Sequence, residues 1–225
     1  IQNIVAGAPL SGEGTTTLTV ISSRVRSVNF DGTPLSFQYA ITPVRTGRGG
    51  FLSGTGSFNL LPGPYRFMSG KSYAFQVDAA GLIQQIQNDA PLQGNTTNTL
   101  TVDPTKVHHL EIDGTALMSS YFITDISLNR GSSLSGIASV DVLPGNYRIS
   151  QGSSTENFSL DASCNLNPPS PYTINGESVP VTCTSGTNAP PVADAGPDQT
   201  GENAVECTSP DGAEVTLDGS ASSDL

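Results

Sequence analysis

Apolar and polar residues alternate along most of the chain, the period of a strand with one face in a core. Leu35, Phe37, Tyr39 and Ile41 face one way in one such run; Val25, Val28 and Phe30, then Phe58 and Leu60, then Tyr73, Phe75 and Val77 mark three more. Gly, Pro, Asn and Asp collect between the runs, where they favour turns. The pattern predicts about six or seven short strands per unit and no long helix, which is the element content of an antiparallel two-sheet sandwich.

The pattern is written twice. Thr17-Leu18-Thr19-Val20 recurs as Thr99-Leu100-Thr101-Val102 (99 − 17 = 82), and Asp31-Gly32-Thr33 recurs at the same offset as Asp113-Gly114-Thr115. Leu61-Pro62-Gly63-Pro64-Tyr65-Arg66 returns as Leu143-Pro144-Gly145-Asn146-Tyr147-Arg148. The strand positions keep register, Leu117, Tyr121 and Ile123 standing for Leu35, Tyr39 and Ile41, while Ser119 replaces Phe37. Ile1-Gln2-Asn3 echoes Ile86-Gln87-Asn88. A fixed period of this length signals tandem supersecondary units. The expected organisation is a tail of a preceding repeat or a connecting strand over 1–7, sandwich repeats over 8–89 and 90–187, and a Pro-rich linker with the first strands of a different β domain over 188–225. The echo at the N-terminus suggests an array that continues upstream.

In Leu-Pro-Gly-x-Tyr-Arg, Pro fixes φ, Gly supplies a sharp turn, and Tyr65 or Tyr147 anchors the strand that follows. The motif resembles the turn of transthyretin-like or carboxypeptidase-regulatory-like (Ig-like) sandwich domains, which implies scaffold, spacer or adhesion work. From Pro190, Pro191-Val192-Ala193-Asp194-Ala195-Gly196-Pro197-Asp198-Gln199 followed by Val215-Thr216-Leu217-Asp218-Gly219-Ser220 resembles the start of a PKD-type domain of bacterial surface proteins and secreted hydrolases. Asp218 and Asp224 supply hard oxygen atoms and are weak calcium candidates; the simpler reading is that they form turns, with no cofactor.

Composition narrows the setting. Only 13% of residues are charged, and the formal net charge of −11 comes from scarce cations rather than acidic blocks. Nucleic acid and direct membrane insertion are therefore not expected, since the first needs a basic patch and the second a long apolar run. Cys164 and Cys183 are spaced to close a loop that a disulfide would stabilise by roughly 3 kcal/mol, which leaves Cys207 odd. The sum reads as an extracellular or cell-surface bacterial protein.

Nothing in the pattern assembles an active site. His108 and His109 are adjacent on a strand and so face opposite ways, which disfavours a shared metal. Asp31 and Asp113 read as turn residues, and no nucleophile elbow, zinc-protease or phosphate-loop motif occurs. The expectation is a non-enzymatic structural or adhesive module: a stalk, or a fibre whose repeats or identical subunits join by strand addition. The alternative is an accessory module of a secreted hydrolase that binds polysaccharide or a surface protein.

Overall fold

The computed structural model describes residue 8, residues 10–17 and residues 19–185. Within them the protein is all-β, with strands that pair antiparallel except at one parallel ladder, and three short 3-10 turns. The N-terminal hairpin is β1 (Leu10–Ser11) with β2 (Thr19–Val20). The first sandwich follows: β3 (Arg26–Gly32), β4 (Tyr39–Pro43), β5 (Gly50–Leu52), β6 (Gly54–Leu60), β7 (Gly63–Ser69), β8 (Lys71–Val77), β9 (Ile83–Gln84), β10 (Leu92–Gln93) and β11 (Thr99–Val102). One sheet runs β10-β11-β3-β6 and the other β5-β4-β7-β8-β9.

The second sandwich contains β12 (His108–Gly114), β13 (Tyr121–Asp125), β14 (Arg130–Leu134), β15 (Gly136–Val142), β16 (Gly145–Gln151), β17 (Ser154–Leu160), β18 (Leu166–Asn167) and β21 (Val181–Ser185). Its sheets run β15-β12-β21 and β14-β13-β16-β17-β18. A small hairpin of β19 (Tyr172–Ile174) and β20 (Glu177–Val179) adds Tyr172, Ile174 and Val179 to its core.

Strand alternation produces two separate cores. β3 buries Val28 and Phe30, β7 Tyr65 and Phe67, and β8 Tyr73, Phe75 and Val77; these side chains pack as edge-on and stacked rings, as in Phe30–Phe75 and Tyr39–Phe67. The second core repeats this with Leu110, Ile112, Tyr121, Ile123, Tyr147 and Phe158.

One position departs from the alternation. Phe37 does not join Leu35, Tyr39 and Ile41 in the first core; it lies in the turn before β4 and is buried in the second core, its ring 6.5 Å from that of Tyr147. Alternation orders side chains only while the backbone is a strand, and β4 begins at Tyr39.

The two sandwiches close differently. β11 runs parallel to β3, pairing Thr99 with Asn29, Leu100 with Phe30 and Thr101 with Asp31, and β10 folds back on it. Residues 92–102, inside the segment that the repeat spacing assigns to the second copy, thus complete the first sandwich. In the second sandwich the strand beside β12 is its own β21, antiparallel, with Leu110 opposite Cys183. No helix among the described residues is long and apolar enough to cross a membrane.

Candidate interlock between the two sandwiches

Each sandwich contributes a side chain to the core of the other. Phe37 enters the second core, and Leu143, from the Leu-Pro-Gly turn of the second repeat, enters the first. Both are almost wholly withdrawn from solvent, so each is worth about 1.5–3 kcal/mol of apolar burial. Leu143 reaches there because Pro144 and Gly145 bend the chain between β15 and β16.

Backbone contacts flank the exchanged side chains. Asp125 Oδ2 accepts a hydrogen bond from Gly70 N at 2.5 Å, and Asn146 N donates to Gly70 O at 3.1 Å. Ser36 N donates to Asp141 O at 3.0 Å while Asp141 N donates to Ser36 Oγ at 2.8 Å. Tyr73 Oη donates to Pro144 O at 3.4 Å, and the Arg130 guanidinium sits 5.0 Å from the Phe51 ring centre. Asp125 is buried, and three donors satisfy it: Gly70 N on Oδ2, and Ser127 N and Oγ on Oδ1. Such an arrangement fixes orientation, because displacing either partner leaves a buried carboxyl oxygen without its hydrogen bond.

The motif tyrosines lock their own turns. Tyr65 Oη donates to Leu61 O at 2.6 Å, and Tyr147 Oη to Leu143 O at 2.5 Å. Burial pushes both hydroxyls up, Tyr147 strongly and with help from Asp125, so they remain protonated donors. Tyr172 repeats the device on Pro168 O at 2.8 Å, its hydroxyl pushed up to about 12 by burial. Arg66 points to solvent, and Arg148 Nε donates to Asn157 Oδ1 at 3.1 Å. Asp31 and Asp113 are turn formers: each carboxylate accepts from the backbone N and hydroxyl of the threonine two residues on.

Cys164 and Cys183 form a disulfide with Cα atoms 5.7 Å apart. It joins the turn between β17 and β18 to β21, and so staples one sheet of the second sandwich to the other. His108 is buried beside it, within 4.8 Å of both sulfurs, and neither ring nitrogen has a hydrogen-bond partner among the described residues. Burial pushes its pKa down, although Asp161 pulls the other way. Oxidised sulfurs are not metal ligands of the thiolate kind, so this trio holds a neutral imidazole against a disulfide. His109 faces outward, its Nδ1 2.9 Å from Asp141 Oδ1. Asp218, Asp224 and Cys207 lie outside the described residues.

Sequence reasoning found the Leu-Pro-Gly-x-Tyr turn and the disulfide but not the exchange. Its one visible sign is that Phe37 is lost from the second copy, where Ser119 stands. No family model matches the chain, and no curated protein and no solved structure matches it either.

Proposed function

We propose that this chain is a stiff structural segment of an extracellular or cell-surface protein, a stalk or fibre element without catalytic activity. The observation that carries the reading is the reciprocal exchange of Phe37 and Leu143. Two beads on a flexible linker have no use for such an exchange; a spacer that must hold its neighbours in a set orientation does. Interfaces between domains of one chain otherwise permit relative motion. The Cys164–Cys183 bridge supports an oxidising compartment. The resemblances to transthyretin-like sandwiches and to a PKD-type domain point the same way. The accessory-binding alternative has less behind it: the chain has no Trp, all six tyrosines are buried, and of the two exposed aromatic rings among the described residues, Phe51 and Phe122, the first is already covered by the Arg130 guanidinium.

Differential scanning calorimetry of the full chain tests the proposal. If the two sandwiches act as one stiff body, they unfold in a single transition whose calorimetric and van't Hoff enthalpies agree for the whole 8–185 region. Two independent transitions, one per sandwich, would overturn it.

A further inference from the structure

Among the described residues there are two copies of one closing hairpin, and only the second lies on a sandwich. β1 pairs β2 with Leu10 opposite Val20 and Ser11 opposite Thr19, as β10 pairs β11 with Leu92 opposite Val102 and Gln93 opposite Thr101. Gly12 has φ 121 and Gly94 φ 122. Thr15 Oγ1 bonds the carbonyls of Gly12 and Thr17 at 2.6 and 2.8 Å; Thr97 Oγ1 bonds those of Gly94 and Thr99 at 2.7 and 2.8 Å. The 3-10 turns that follow, Ser22–Arg24 and Pro104–Lys106, end on Val25 (φ −80, ψ 137) and Val107 (φ −81, ψ 138).

The surroundings differ sharply. Leu92, Val102, Val107 and Leu143 are buried in the first core. Their counterparts 82 positions earlier, Leu10, Val20, Val25 and Leu61, are all at least partly open to solvent, and Val20 is 47% exposed. A Cβ on Gly145 would strike the Gly70 backbone, whereas one on Gly63, its counterpart, meets open space. The apolar residues and the backbone shape of a junction are thus present at this face, and the sandwich that occupies the equivalent face of the second repeat has no equivalent here among the described residues.

We infer that this face seats another sandwich of the same repeat type, immediately N-terminal in the same polypeptide. The β1–β2 hairpin joins that neighbour's sheet in parallel with its equivalent of β3. Leu10, Val20 and Val25 enter its core, and Leu61 takes there the place that Leu143 takes in the first sandwich. Two polar contacts are not carried over: Pro43 stands where Asp125 does, and Pro64, with no N–H, where Asn146 does. The neighbour's turn equivalent to Gly70 therefore differs from Gly70 in its hydrogen bonding. The inference rests on the stiff-segment reading and extends it by naming the partner.

Two altered full chains test it. In the first, residues 90–107 are replaced by the sequence of residues 8–25, so that the N-terminal hairpin must close the first sandwich. The expected result is cooperative melting within a few degrees of the parent, with amide protection retained on β3; the same graft carrying Asp in place of Val20 loses that protection at least 100-fold. Loss of the first sandwich in the unmodified graft would overturn the closing role.

In the second chain, an extra copy of residues 26–89 is joined ahead of residue 8, which restores the natural spacing. The added copy should resist protease, and the Val20, Val25 and Leu61 amides should gain protection. An added copy that is digested while the remainder stays folded would overturn the neighbour. Calorimetry of the unaltered chain reads the stiff-segment proposal separately, because neither graft result depends on how many transitions that chain shows.

Discussion

The backbone of Gly145 touches the backbone of Gly70: a Cβ built on Gly145 would stand 2.2 Å from both the Cα and the carbonyl carbon of Gly70. Real side chains do not approach so closely, and neither glycine has a side chain that can turn aside. The two sandwiches meet at this point because nothing larger than hydrogen is there.

Gly145→Ala should therefore push the sandwiches apart and weaken the Asp125–Gly70 hydrogen bond. The expected cost is about 1–3 kcal/mol, the range of an overpacked site. Urea unfolding with a probe in each sandwich checks it: the parent gives coincident curves, and the variant gives curves that separate.

Phe37→Ala makes a complementary prediction. The residue belongs by sequence to the first repeat, yet its ring fills space in the second core beside Tyr147. Truncation should cost about 3–5 kcal/mol, and the loss should fall on the second sandwich. Amide exchange on β12 and β16 should accelerate more than exchange on β7 and β8; the reverse order would contradict the exchange of side chains.

These two positions also show how far the sequence can be read. The turn motif, the strand alternation and the disulfide were legible, because each depends on neighbours along the chain or on a simple period. The position of the junction was not. A repeat spacing sets the length of a unit but not where the unit begins, so residues 92–102 look like the start of the second copy although their apolar side chains finish the first. Phe37 was misplaced for a related reason: alternation carries no information about a side chain in a turn, and the core it enters lies across a boundary that the period cannot locate. The buried environment of His108 was equally hidden, because the disulfide beside it is brought there by β21, far along the chain.

Removing the Cys164–Cys183 bridge should cost roughly 3 kcal/mol, from the unfolded-state freedom returned to a loop of sequence separation 19. The paired Cys164→Ser and Cys183→Ser variant should unfold at a lower midpoint than the parent. β21 is held to β12 by its ladder but to the opposite sheet by this bridge, so amide exchange at positions 181 and 183 should rise first. Equal melting of variant and parent would show that the bridge adds nothing.

His108 should make stability depend on pH in one direction. Burial pushes its folded pKa below the ordinary 6.5, and neither ring nitrogen has a hydrogen-bond partner among the described residues. Between the folded and unfolded pKa values the unfolded chain binds the extra proton, so acidification favours unfolding there. The stability associated with the neutral imidazole is fully present above pH 6.5 and declines as pH falls through and below that value. Denaturant midpoints measured from pH 8 to pH 5 should fall for the parent, and the fall should be smaller for His108→Phe, which keeps an aromatic ring beside the disulfide and cannot titrate. His109→Gln serves as the comparison, since that ring is half-exposed and pairs with Asp141 at the surface. If His108→Phe leaves the slope unchanged, the acid sensitivity arises elsewhere and the buried imidazole has no part in it.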